Sequence, residues 1–212
     1  MHSPYSYIPL TRVDQQISHE NEFAISSPIL FDLLENLSTE EHHEILDLLP
    51  AKQGVIDLFS SFSCRLYLPG CMHELCEMSS DRYDTVTKLN RAFTKNIGIY
   101  KKQKAALNLI FLWDLPNYLD KAVMKGLIEY LLQHARQKVK LHFYIHTREY
   151  MPSSPGVYSI MPEGKIWLEN NSDTTVKSPL YFQEALQTLL HPFKVKRSIM
   201  LSSGLQEYIL EL

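Results

Sequence analysis

Glycine is scarce in this 212-residue chain, with seven residues that never stand side by side. No Gly-x-Gly-x-x-Gly and no Gly-x-x-x-x-Gly-Lys-Ser/Thr segment occurs, so no loop lets the backbone wrap a polyphosphate. Gly-x-Ser-x-Gly and His-Glu-x-x-His are also missing, which removes the commonest serine-hydrolase and zinc-protease signatures. Cysteine is limited to Cys64, Cys71 and Cys76. An odd count leaves at least one thiol without an intrachain partner, as suits a reducing, cytoplasmic compartment. Long apolar runs are absent too. The most apolar stretch, from Leu107 to Trp113, is far too short to cross a bilayer. The N-terminal residues read as neither a secretory signal nor an anchor, and no lipidation box closes the chain. The expectation is a soluble, cytoplasmic protein without membrane contact.

A core-forming composition is present, 45% hydrophobic and 21% charged, with a net charge of −3. That excludes a disordered chain, and the length permits a core without disulfide or metal staples. Residues 1–22 mix Pro, Ser, Gln and His and read as a mobile tail. Residues 23–96 read as a mostly helical segment with one strand, and residues 97–212 as an α/β core continuous with it.

Local signals place the elements. Ser27-Pro28 is a helix start, with Ser as cap and Pro in the first turn. Ser38 to Glu41 has the form of a capping box, and Pro50 stops the helix that this box would open. Residues 27–49 therefore read as a helical hairpin. A short helix is expected over 55–62, a strand near 64–68 and a helix over 81–95. Leu107 to Trp113 reads as a strand buried on both faces. Residues 118–135 carry the i, i+3, i+4 spacing of an amphipathic helix, and 139–146 alternate as a strand. Together, 107–146 form a βαβ unit. Residues 157–161 and 165–169 flank Pro162-Glu163-Gly164 as a β-hairpin. Ser178-Pro179 opens a further helix, 195–202 is a strand, and 204–212 a short helix or strand. The fold class is α/β, with a mixed, partly parallel sheet.

Charge is unevenly placed. Residues 20–57 hold nine acids and one base, whereas 85–113 hold six bases (Lys88, Arg91, Lys95, Lys101, Lys102, Lys104) and no acid. Two solvated faces, mutual docking of the segments, or an anion-binding face would all produce this. A net-acidic chain with one modest basic cluster disfavours nucleic acid.

Few residues suggest chemistry. Cys71, His73 and Cys76 are three ligand types where zinc wants four, so buried cysteines explain them better than a metal. Cys76 as a nucleophile lacks an assignable base. His43 and Asp47, one helical turn apart in the hairpin, read as a solvated pair. His142, Tyr144 and His146 share one strand face. They either line a polar pocket or lie half exposed under a loop. Open α/β sheets bind ligands beyond the carboxyl ends of parallel strands. Those ends carry Asp114, Pro116 and Asn117 after one strand, and His146, Thr147 and Arg148 after the next. Asp114, Asn117, His146 and Arg148 are therefore the candidate ligand-binding residues. Asp114, His146 and Arg148 would hold an anion or perform acid–base work, unless Asp114 and Arg148 form a structural ion pair.

The leading expectation is a non-catalytic regulatory or scaffolding module. It would act on another protein through residues 27–49, with a small anionic ligand at the sheet edge, and no motif calls for a cofactor or metal. The alternative is an enzyme, or a degenerate one, using Asp114, His146 and Arg148. A third reading is weak nucleic-acid or anionic-surface binding through residues 88–104. The leucine–proline rhythm of residues 33–50 arises from a capping box and a terminating proline, and implies no kinship.

Overall fold

The computed structural model describes residues 22–100, 105–161, 165–169 and 172–212. Apart from Glu22, the expected tail lies outside them. Strand β1 (Glu22–Ser26) leads into helix α1 (Pro28–Glu35), β2 (His43–Asp47), α2 (Gln53–Phe59) and β3 (Cys64–Tyr67). Helices α3 (Met72–Cys76) and α4 (Val86–Ile97) precede β4 (Leu107–Trp113), α5 (Lys121–Leu132) and β5 (Ala135–His146). Then come β6 (Tyr150–Pro152), β7 (Val157–Met161), β8 (Lys165–Glu169), β9 (Thr175–Lys177), α6 (Gln183–Leu189), β10 (Lys194–Met200) and β11 (Leu205–Glu211).

The α/β class holds. A six-stranded sheet runs β10-β11-β5-β4-β2-β3, in which β3, β2, β4 and β5 are parallel and β11 is antiparallel to both neighbours. The βαβ unit forms as its pattern indicates. In β4 every residue except Asn108 is buried, and α5 sets Val123, Met124, Leu127, Ile128 and Leu131 inward. Asp120 caps α5 by accepting from Val123 N at 2.8 Å, and Thr85 caps α4. Strands β7 and β8 pair antiparallel, and β1 adds to β8 as a third strand.

The second arm of the expected helical hairpin is a strand. Ser38 Oγ accepts from the N–H groups of Glu40 and Glu41, at 3.2 and 3.3 Å, in a turn that does not propagate. Residues 43–47 form β2 instead, all buried, with Ile45 and Leu46 between β3 and β4. A short apolar run reads alike as helix or strand, and pairing on both sides decides it. Ser27 likewise makes no cap to its own helix. Its hydroxyl donates to Glu207 Oε1 at 2.5 Å, and Glu207 also accepts from the N–H groups of Ile29 and Leu30. A carboxylate from β11, 177 residues on in sequence from Leu30, thus does the capping. Ser178 does not start α6. Its N–H bonds Glu149 O, Leu180 takes φ 48°, and the helix begins after Phe182. No helix among the described residues is long and apolar enough to cross a membrane.

Candidate functional site at the carboxyl ends of the parallel strands

The chain passes from β2 to β3 in one direction along the sheet and from β4 to β5 in the other. The order reverses between β2 and β4, and such a reversal opens the crevice where α/β sheets take ligands. Asp47 ends β2, Asp114 comes directly after β4 and His146 ends β5.

The crevice is filled by the chain itself. Trp113, fully buried, donates from Nε1 to Asp47 Oδ1 at 2.6 Å, and Leu49 N donates to the same oxygen at 3.0 Å. Burial pushes the Asp47 carboxyl up to about 6, against those two hydrogen bonds. Trp113 adopts φ 52°, a left-handed conformation that bulky residues rarely take and that concentrates at functional sites. Its ring stacks on Tyr158 from β7 at 4.9 Å, and Tyr158 stacks on Tyr144 at 5.4 Å. All three rings are buried. The small sheet β1-β8-β7 therefore lies over the carboxyl ends, held at its rim by Lys52 Nζ donating to Ser159 Oγ at 2.8 Å. Beneath it, Leu48 and Leu49 are buried and Pro50 meets Gly70. Gly70 has φ 61°, and a Cβ there would stand 3.1 Å from Pro50 Cα.

Beside this plug sits Asp114. Its Oδ2 accepts from Gly156 N at 3.0 Å and lies 3.8 Å from His146 Nε2. Its Oδ1 is buried without a hydrogen-bond partner, as are His146 Nε2 and the Tyr158 hydroxyl. Burial, and then the nearby Asp114 charge, raise the Tyr118 and Tyr158 phenols. The Tyr118 hydroxyl itself donates to Ser154 O.

The predicted residues divide. Asp114 and His146 come together. Asn117 is structural, its amide bonding Asp114 O and Tyr144 O while its Oδ1 accepts from His146 N. Arg148 is exposed and lies over Gly204, where a Cβ would stand 2.5 Å from its Nε. No Asp114–Arg148 ion pair forms among the described residues. Arg148 stands two residues past β5, in the loop that leads to β6, and the turn before β11 draws it sideways.

The His142 face is neither a pocket nor half exposed. His142 and Tyr144 are fully buried, with His142 Nε2 at 2.9 Å from Glu207 Oε1 and the Tyr144 hydroxyl at 2.6 Å from Ser27 Oγ. His43 and Asp47 lie on a strand, about 13 Å apart along it, and His43 bonds Ser38 O and Asn108 instead. Among the described residues no group of three His, Cys, Asp or Glu could hold a metal. Burial pushes the Cys71 and Cys76 thiols up to about 12, which makes both poor nucleophiles. In the basic segment Lys88 pairs with Asp84, and Arg91 and Lys95 line a groove of about 410 Å³ with Asn90, Thr94 and Tyr100. Lys101, Lys102 and Lys104 lie outside the described residues. Sequence reasoning set Asp47 on a helix beside His43 rather than at a strand end, and it missed Trp113 and Tyr158. The signal for Asp47 and Trp113 was their position at the ends of adjoining parallel strands, visible only once residues 43–47 are read as a strand.

No protein-family model matches the sequence, and no curated protein matches it. Among solved structures, the glycopeptide N-methyltransferase MtfA complexed with S-adenosyl-L-homocysteine is similar at 12% identity, covering 88% of this chain and 89% of that one, with a TM-score of 0.47. An S-adenosylmethionine-dependent methyltransferase from Clostridium acetobutylicum is similar at 11% identity, over 87% and 89% of the two chains, with a TM-score of 0.42. The pyocyanin biosynthetic protein PhzM is similar at 12% identity and TM-score 0.41 over 85% of this chain, which spans only 53% of PhzM. The expectation of a non-catalytic regulatory or scaffolding module is corrected accordingly. The docking hairpin at residues 27–49 through which it would act does not form, since residues 43–47 are a buried strand between β3 and β4.

Proposed function

We propose that this chain is an enzyme, or the descendant of one, with Asp114 and His146 as its acid–base pair. The observation that carries the reading is the pair of unpartnered atoms, Asp114 Oδ1 and His146 Nε2, at the carboxyl end of parallel strands. A carboxylate facing an imidazole at 3.8 Å in a crevice of this kind is the pairing that general acid–base chemistry uses. Asp114 would orient the imidazole and balance its charge, and His146 would move the proton. The three free thiols go with a reducing, cytoplasmic compartment.

S-adenosyl-L-methionine is bound in one MtfA structure. The residues at the crevice here do not fit that group. The loop after β2 is Leu48-Leu49-Pro50-Ala51-Lys52 in place of glycines, and β3 runs into Leu68-Pro69-Gly70, with no acid to meet a ribose. No step of the proposed chemistry passes through it.

The test is thermal stability. Asp114→Asn keeps an acceptor for Gly156 N and removes the buried carboxylate charge whose Oδ1 has no hydrogen-bond partner. Relieving a buried unsatisfied oxygen is worth about 1–3 kcal/mol, so Tm should rise by about 2–10 °C. His146→Gln should leave Tm unchanged or raise it. A fall of several degrees in both variants would identify a purely structural pair and end this reading.

A further inference from the structure

We infer that the ligand crevice of this sheet is self-occupied: Trp113 and Tyr158 stand where an adenosine-type cofactor would lie, and the chain binds none there. The strand reversal between β2 and β4 fixes where such a ligand would enter. At that point the space between the strand ends is spanned by the Trp113 indole, tied to Asp47, with the Tyr158 phenol stacked on it at an interplanar angle of 17°. A flat aromatic ligand held between rings is the arrangement the protein has built from its own side chains. Three further contacts close the crevice. Cys71 N donates to Leu48 O at 3.1 Å and draws the loops after β2 and β3 together. Pro50 packs on Gly70, leaving no room between those loops. Lys52, the residue before α2, spends its ammonium on Ser159 of the covering sheet, where a phosphate or carboxylate would otherwise meet it.

The inference goes beyond the acid–base proposal, because it concerns the Trp113 and Tyr158 rings over the strand ends and not the Asp114–His146 pair. It concerns which ligands the chain refuses, so it stands or falls separately from the stabilities of Asp114→Asn and His146→Gln.

The experiment uses the full chain with S-adenosylmethionine, S-adenosylhomocysteine, ATP and NAD⁺ as probes. A probe present at about a hundred times its dissociation constant would raise Tm by roughly 5–10 °C. No probe is expected to shift Tm or to give saturable heat in calorimetry. A shift of that size with any of them overturns the inference. Tyr158→Ala supplies a positive arm. It opens an apolar slot between Trp113 and Tyr144, and p-cresol is expected to restore part of the lost Tm, as apolar cavities take up aromatic guests. Tyr158→Phe, which keeps the ring, should gain nothing from p-cresol. A folded Tyr158→Ala protein that p-cresol does not stabilise also counts against the plug. If that variant does not fold, the wild-type probes decide alone.

Discussion

Replacing Glu207 by Ala should be among the most damaging single changes in this protein. The carboxylate is fully buried and accepts from Ser27 Oγ, from the N–H groups of Ile29 and Leu30, and from His142 Nε2. Ser27 can turn to the Tyr144 hydroxyl at 2.6 Å. Two backbone N–H groups at the start of α1 and one buried imidazole have no such recourse. Each unmatched buried donor costs about 1–3 kcal/mol, and these costs are not additive. Three orphaned donors at that cost set the expected loss at roughly 3–5 kcal/mol. Urea unfolding monitored by tryptophan fluorescence measures it, with an unchanged m-value as the check that only stability moved. Glu207→Gln keeps one acceptor oxygen but turns a donor toward Ile29 N, so it should fall between wild type and Ala. A loss below about 1 kcal/mol for Ala, or a Gln variant less stable than Ala, would refute the reasoning. Acid should weaken the same contacts. Burial raises the Glu207 pKa, but the His142 and Ser27 contacts outweigh it and hold the group below its ordinary range. Its stabilisation is present above the unfolded-state value of about 4.3 and is lost as pH falls through the lower folded-state value.

Asp47 has the opposite sign. Its folded-state pKa of about 6 lies above the unfolded value, so its contribution is complete below about pH 4 and is lost as pH rises through 6. Asp47→Asn keeps an acceptor for Trp113 and Leu49 without the buried charge. It should be more stable than wild type by about 2–3 kcal/mol at pH 8 and nearly equal to it at pH 4. A difference that does not change with pH, measured by denaturant titration at the two values, would contradict this account. Deleting residues 1–52 removes β2 from between β4 and β3, so the remainder should aggregate. A soluble 53–212 fragment with cooperative unfolding in calorimetry would show that β2 is dispensable.

Much of the fold was legible because periodicity is a local property. Leu107 to Trp113 and the amphipathic residues of 121–132 declare their burial without reference to the rest of the chain, whereas the alternation of 139–146 declares a strand but not the burial of its His142 face. The hairpin of β7 and β8 did so through its turn residues. The passage from Ser38 to Leu49 did not, because a serine turn and a helix cap use the same residues and differ only in the packing of the chain after them. That one misreading hid the strand reversal, and with it Asp47 and Trp113. Asp114 and His146 were reached by topology alone. Arg148 was placed with them by the same rule, and the turn at Gly204 took it elsewhere.

Composition and spacing alone determined an α/β domain with a βαβ unit, because backbone periodicity fixes which face of each element turns inward. Tertiary structure decided which strand became central, which carboxylate capped α1 and which rings closed the crevice. Those outcomes depend on residues such as Ser27 and Glu207, or Trp113 and Tyr158, that are distant in sequence and meet only when the sheet is assembled.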